Sequence, residues 1–209
     1  KITNSEYQLT PSQSREVFKT KGWSTIVGFH TRNVIHRAHE FIQKKAIDLS
    51  YADGLYVTPV IGPKKIGDYH SDVIMNSYKT MQSKVSYTNQ LLLGAFSTYS
   101  RYSGPREAVF TALCRKNMGC SHFIIGRDHT GIGDFYKNES NYAIFNKLGD
   151  LGIKPIFFNT VSYNLDTNCY EEITSKGNYE VISGTVAREG FKSGKEFPDW
   201  FMDEEIQIM

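Results

Sequence analysis

Cysteine is scarce in this sequence: Cys114, Cys120 and Cys169 are the whole supply, and no two of them form a CxxC pair. An odd, sparse set with no metal-like spacing excludes a disulfide framework and a thiolate metal site, and points to reduced thiols in a cytoplasmic setting. Cys114 sits within an apolar helical pattern and is expected as a core residue, not a nucleophile. No window approaches the roughly 18–20 consecutive apolar residues of a membrane span, and the opening KITNSEYQLT has no apolar core of the kind a secretory signal needs. Charge of one sign is also lacking. Lys and Arg number 24 against 22 Asp and Glu, a formal charge of +2, which argues against a polybasic nucleic-acid or membrane surface. No internal repeat, no low-complexity linker and no GxxxxGK[ST] phosphate loop is present.

What is there is an alternation of two patterns. Short apolar, β-branched or aromatic runs are STIVGF from Ser24, LYVTPVIG from Leu55, LLLGAF from Leu91, HFIIG from His122 and KPIFF from Lys154. Each is bounded by Gly, Pro or Asp, as buried strands are. Between them, apolar residues recur at helical spacing: Ala38, Phe41, Ile42, Ala46 and Leu49; then Val73, Ile74, Ser77, Tyr78 and Met81; then Ala108, Val109, Ala112 and Leu113; then Tyr142, Phe145 and Leu148. Pro105 opens the third helix and Gly119 closes it. Strand and helix in alternation predict an α/β fold with a parallel sheet and helices on both faces. Such folds bind ligands in the loops beyond the carboxyl ends of their strands.

Two loops in those places are rich in polar groups. The first is HTRNVIHRAHE, from His30. If a helix begins near Ile35, His36 and His39 share its first turn. A phosphate at that helix end would meet Arg32, Asn33, both imidazoles and free backbone N–H groups. A bare HxxH taken alone more often lies on a helix surface, or in a zinc site with His30, although no Cys or convincing carboxylate ligand lies nearby in sequence to complete one. The second loop is GRDHTGIGDFY, from Gly126. Its glycines let backbone approach a ligand, while Arg127 and His129 add donors that Asp128 can orient. A solvated loop with an Arg–Asp pair is the plainer reading of that loop alone. Together, two such loops at equivalent strand ends favour an anion-binding cleft. Further on, in NYEVISGTVARE, Ser183 or Thr185 is placed to cap a helix that carries Arg188.

Four segments, taken in order, resemble the ATP-sulfurylase (sulfate adenylyltransferase) family. Its QTRNPxHxxH, RxxGPREA, GRDHAG and ISGTxxR motifs are matched by HTRNVIHRAH at His30, RYSGPREA at Arg101, GRDHTG at Gly126 and ISGTVAR at Ile182, and FPDWFMDEEI resembles the family's closing P-x-WF segment. The resemblance implies a Rossmann-like nucleotidyltransferase serving sulfate assimilation: ATP and sulfate give adenylyl sulfate and pyrophosphate. It implies Mg²⁺ carried by the nucleotide, with no metal bound by the protein itself. By position, Thr31, Arg32 and Asn33 fall on the catalytic loop, and His36 and His39 match the pair that meets the phosphates. Gly126, Arg127, Asp128 and His129 match the nucleotide-binding loop, with Arg127 also catalytic, and Val161 matches a backbone contact to adenine. Sulfate is expected at His30, Arg32 and Thr130. The reaction implied is direct in-line attack of a sulfate oxygen on the α-phosphorus, since neither loop offers a Ser or Cys beside a base.

Residues 1–209 then form the catalytic domain, with 1–22 as a lead-in and about 183–209 as a C-terminal helical appendage. The family's usual N-terminal β-rich domain does not precede Lys1, so the expectation is an excised or reduced domain, or part of a longer chain, with homo-oligomerisation left open. Three positions depart from the motifs. His30 replaces Gln, Thr130 replaces the Ala of GRDHA, and Val34 replaces Pro. The first two fall where sulfate is expected. Two alternatives therefore stand beside the main reading: an adenylyltransferase with a different anionic acceptor, and a non-catalytic nucleotide-sensing domain.

Overall fold

A computed structural model describes residues 5–126, 129, 135–137, 139–182 and 184–208, with the backbone alone at Ser5 and Thr185. All five apolar runs form strands: β1 (Ile26–Thr31), β2 (Gly54–Pro59), β3 (Leu91–Leu93), β4 (His122–Ile125) and β5 (Lys154–Phe157). They pair in parallel in the order β3-β2-β1-β4-β5. The four expected helices are α2 (Arg37–Ser50), α3 (Ser71–Gln82), α4 (Pro105–Met118) and α5 (Ser140–Leu148).

Side chains alternate across a strand, so the sheet supports one apolar layer on each face. Val27, Phe29, Leu55, Val57 and Ile124 point to one side and pack with Ala46 and Ile47 of α2 and Ile74 and Tyr78 of α3. Ile26, Tyr56, Phe123 and Ile125 point to the other and meet Ala108 and Ala112 of α4 and Phe145 of α5. This is the parallel sheet with helices on both faces that the strand and helix pattern predicts, and the Rossmann-like fold that the resemblance implies.

Some expected core positions face outward. Leu49 is 56% exposed, and the buried stripe of α2 runs instead through Gln43, Ala46 and Ile47. Tyr142 and Leu148 are also exposed, which leaves Phe145 to anchor α5. Cys114 is half-buried, and Cys120 takes the buried place.

Two features go beyond the sequence reading. A first helix, α1 (Pro11–Thr20), occupies the lead-in. Thr10 caps it by accepting from the Gln13 N–H, the Gln13 side chain returns the bond to the Thr10 N–H, and Pro11 sits at its start. The segment TPSQ carried that signal. A small antiparallel sheet, β7-β6-β8, is built from β6 (Val161–Asn164), β7 (Cys169–Glu172) and β8 (Tyr179–Glu180). Tyr163 of β6 stacks on Trp200 with centroids 4.7 Å apart, and the Tyr170 hydroxyl donates to the Trp200 carbonyl at 2.8 Å.

The C-terminal stretch contains α6 (Gly184–Lys192) and α7 (Glu204–Gln207). Thr185 falls inside α6, not at its cap, and Ser183 lies outside the described residues. Phe197, Phe201, Met202 and Ile206 are buried in the same layer as β1 and α2. Phe201 is 3% exposed and its carbonyl accepts the Arg37 N–H at 2.9 Å, so the chain's last segment holds the start of α2. Phe201→Ala is expected to cost ~3–5 kcal/mol, the range for truncating a buried aromatic. Urea denaturation reads this out, and a loss below ~1 kcal/mol would show that the segment is peripheral.

Candidate functional site

The strand order reverses at β1. From β1 the chain runs through α2 to β2 on one side, while from β4 it runs through α5 to β5 on the other, although β1 and β4 are themselves paired neighbours. A crevice therefore opens at their carboxyl ends. His30, at the end of β1, and Gly126 and His129, after β4, lie beside it.

In the first loop, Thr31 is buried and its hydroxyl accepts the Asn33 N–H at 3.1 Å, a short turn that swings the chain out of the sheet. The Ile35 N–H is held by the Ser77 hydroxyl at 3.2 Å. Helix α2 begins at Arg37, later than the sequence suggested, with His36 as its extended N-cap residue. Its first N–H is not free, because Arg37 spends it on Phe201. The site there is thus two side chains more than a bare helix end.

Those side chains, His36 and His39, stack with ring centroids 3.8 Å apart. Phe201 lies against the His36 ring at 5.3 Å and Phe29 against His39 at 5.5 Å. Nδ1 of each imidazole is buried without a hydrogen-bond partner. Burial pushes His36 down to about 4. His39 is held well below its ordinary value by burial and by His36, opposed only by the Val34 carbonyl. Both rings are therefore neutral near pH 7.

A second pair forms on the α4 side of β1. His30 and His129 lie 5.7 Å apart, centroid to centroid. Arg115 of α4 is fully buried beneath them, with Nη2 2.9 Å from His30 Nδ1 and its guanidinium 4.3 Å over the Phe96 ring. Gly28 makes room for it: a Cβ there would lie 3.1 Å from Arg115 Cγ. The Thr111 hydroxyl sits 3.0 Å from His129 Nε2. Desolvation, then the Arg115 charge, holds His129 at about 4 and His30 well below the ordinary imidazole value.

Arg32 points toward β2 and β3. Its guanidinium lies 4.6 Å over the Tyr102 ring, and Lys65 Nζ lies 3.2 Å over the same ring. These residues share a cavity of about 270 Å³ with Lys64, which donates to the Val60 carbonyl at 2.5 Å and is lowered to about 8 by burial. Tyr102 holds a left-handed backbone, φ 56°. The loop that carries it is pinned by Glu107, which is 2% exposed and accepts the N–H groups of Arg101 and Ser103. This gives the GPREA segment a structural role. Across the loop, Arg188 of α6 donates to the Asn33 side chain at 3.4 Å.

On the other flank, a cavity of about 560 Å³ opens at the ends of β4 and β5, lined by Gly126, Asn141, Tyr142, Phe157, Asn159 and Thr160. Tyr142, expected in the core, lines this space instead. A Cβ on Gly126 would meet nothing within 4 Å, so its backbone is open to the cavity. Val161 follows directly as the first residue of β6. Arg127, Asp128 and Thr130 lie outside the described residues. Among the described residues no three His, Cys, Asp or Glu side chains gather as a metal site.

Arg115, Thr111, Lys64, Tyr102 and Phe201 escaped the sequence reading. A fully buried Arg is too rare to expect, and the others lie outside the motif positions considered for chemistry.

A histidine with a folded pKa below its unfolded one binds fewer protons folded than unfolded, so stability rises with pH between the two values. His36 and His129, each moved from 6.5 to about 4, contribute stability that is complete above 6.5 and lost as pH falls toward 4. The melting temperature is expected to drop through that window, and less steeply in His36→Asn. A flat profile from pH 7 to about 4 would contradict neutral buried imidazoles.

The ATP-sulfurylase family model matches residues 5–208. The chain is 43% identical over 202 residues to a sulfate adenylyltransferase of Staphylothermus marinus, covering 95% of this chain and 52% of that protein. It is 43% identical over 208 residues to a sulfate adenylyltransferase of Nostoc punctiforme, covering 96% of this chain and 52% of that protein. The chain therefore spans about half the length of these relatives. Among solved structures, a hexameric APS kinase from Thiobacillus denitrificans superposes with a TM-score of 0.75 at 17% identity, over 98% of this chain and 39% of that one, which bears on the fold alone. With the family model matched nearly end to end and relatives 43% identical over 95% or more of this chain, the chain belongs to the ATP-sulfurylase family.

Proposed function

We propose that this chain is the catalytic domain of a sulfate adenylyltransferase that joins the AMP part of ATP to sulfate and releases pyrophosphate. The observation that carries the reading is the layout of the crevice. A roomy pocket lies on its β4–β5 flank, cationic side chains lie on its β2–β3 flank, and imidazoles stand between them. Adenosine fits the first, beside the open Gly126 backbone, Tyr142 and Val161. The acceptor fits the second, where Arg32, Lys64 and Lys65 offset the repulsion between sulfate and the α-phosphate.

In this reading a sulfate oxygen attacks the α-phosphorus in line, and the bond to pyrophosphate breaks. His36 and His39, neutral in the free protein, act as N–H donors whose bonds strengthen as charge accumulates on the phosphates. Arg127 and the rest of its loop are assigned to the phosphates, and His30 and Thr130 to sulfate, by their place in the motifs. Mg²⁺ carried on the triphosphate would neutralise part of its charge, and the described side chains offer it no cage. A cytoplasmic site of action and self-association belong to the same reading. So does a longer parent chain. No helix among the described residues is long and apolar enough to cross a membrane.

One observation favours a second reading. The Arg32 cavity, about 270 Å³, is large for a single tetrahedral anion when a liquid water takes ~30 Å³. A bulkier anionic acceptor would fill it.

The assay is release of pyrophosphate from ATP, with sulfate or with molybdate as the second substrate. Sulfate-dependent release is expected. Release with molybdate alone would point to another acceptor, and none with either would contradict the adenylyltransferase reading. His39→Ala is expected to lower turnover by ~10²-fold or more, with ATP binding largely kept, as loss of a transition-state donor does. Near-normal turnover would remove that role from His39.

A further inference from the structure

A guanidinium keeps its proton throughout the pH range in which proteins fold, so Arg115 can only donate. Its Nη2 lies 2.9 Å from His30 Nδ1 and 3.5 Å from the Thr58 carbonyl. Nδ1 of His30 must then accept, which makes the ring neutral and puts its single proton on Nε2. Thr111, one turn earlier on α4, treats His129 in a related way. When its hydroxyl hydrogen goes to the Glu107 or Ala108 carbonyl, at 2.8 or 3.1 Å, its oxygen is left to accept from Nε2–H of His129 at 3.0 Å. One face of α4 thus meets both imidazoles of the crevice, and at His30 it sets the proton position.

The surroundings hold Arg115 to this task. It is fully buried, its stem passes over Gly28 and its charge rests on the face of Phe96. Nε and Nη1 are buried with no hydrogen-bond partner, and among the described residues no carboxylate pairs with it. A buried charge left in that state is costly. An anion at the crevice would supply the missing opposite charge. Among the described residues, the remaining charged or titratable groups that bear on His30 are His129, Lys64 and Arg32, and none of these favours the imidazolium.

We propose that Arg115 is a positioning residue that presents His30 to the crevice as a neutral Nε2–H donor for the acceptor anion, at the position where the QTRNP motif has glutamine. The identity of that anion as sulfate rests on the function proposed above, whereas the proton position does not. The departure from Gln to His is then a replacement of one neutral donor by another, made possible by a residue 85 positions away in sequence.

Long-range proton–nitrogen spectra of the ¹⁵N-labelled protein read the His30 tautomer directly, with or without activity. Wild-type protein is expected to show His30 protonated on Nε2 and bare on Nδ1 from about pH 6 to 8. A ring protonated on Nδ1, or on both nitrogens, would overturn the proposal without any variant. Arg115→Met should let His30 sample both tautomers and titrate at higher pH, and Arg115→Lys, which keeps a donor, should preserve the wild-type signature. An unchanged His30 in folded Arg115→Met would also overturn it. In the pyrophosphate assay, Arg115→Met should raise KM for sulfate ~10-fold, about one hydrogen bond's worth, with KM for ATP within ~2-fold. A changed tautomer with an unchanged KM for sulfate would leave Arg115 in its positioning role and remove His30 from the acceptor site.

Discussion

The reversal of strand order between β1 and β4 is the constraint on which the rest of the molecule depends. Two neighbouring parallel strands whose connections depart in opposite directions cannot be covered by one loop, so their carboxyl ends stay open. β1 delivers His30, Thr31 and Arg32, and β4 delivers Gly126 and His129. The register that pairs Gly28 with Phe123 brings the two strand ends side by side.

Around that gap the protein separates charge from hydrogen bonding. Imidazoles are buried until they are neutral, and can offer N–H groups without adding cations that would repel one another. Arginine and lysine carry the positive charge, Arg115 against the face of Phe96 and Arg32 and Lys65 against Tyr102, whose hydroxyl donates to Asp68 at 3.3 Å. Support for the imidazoles comes from far along the chain. Phe201 backs His36 and anchors the first N–H of α2, while Arg37 and Lys84 both bind Asp203 at the start of α7. The last turn of sequence therefore shapes the first loop of the site.

Much of this was legible. All five parallel strands follow from apolar runs with clear boundaries, and the general rule for parallel sheets directs attention to the polar loops at their carboxyl ends. Legibility failed where tertiary contacts override local pattern. Nothing near Arg115 announces a buried cation, because its partners, His30 and Phe96, come from other strands' ends. Tyr142 fits a helical stripe yet turns to a cavity, since a ligand pocket and a core demand the same apolar residues. The start of α2 was placed too early because Ile35, apolar and in phase, is tied to Ser77 outside the helix. By contrast α1 was readable from Thr10, Pro11 and Gln13, whose roles are purely local.

The central claim is that the two loops form one anion site. The sequence has six histidines, four of them in those loops, and His122 at the opposite end of β4 serves as an internal control. Titrating ATP while following all six imidazoles by NMR tests the claim directly. His30, His36, His39 and His129 are expected to shift together with one apparent dissociation constant while His122 stays unchanged. Response from one loop alone, or separate constants for the two, would contradict it.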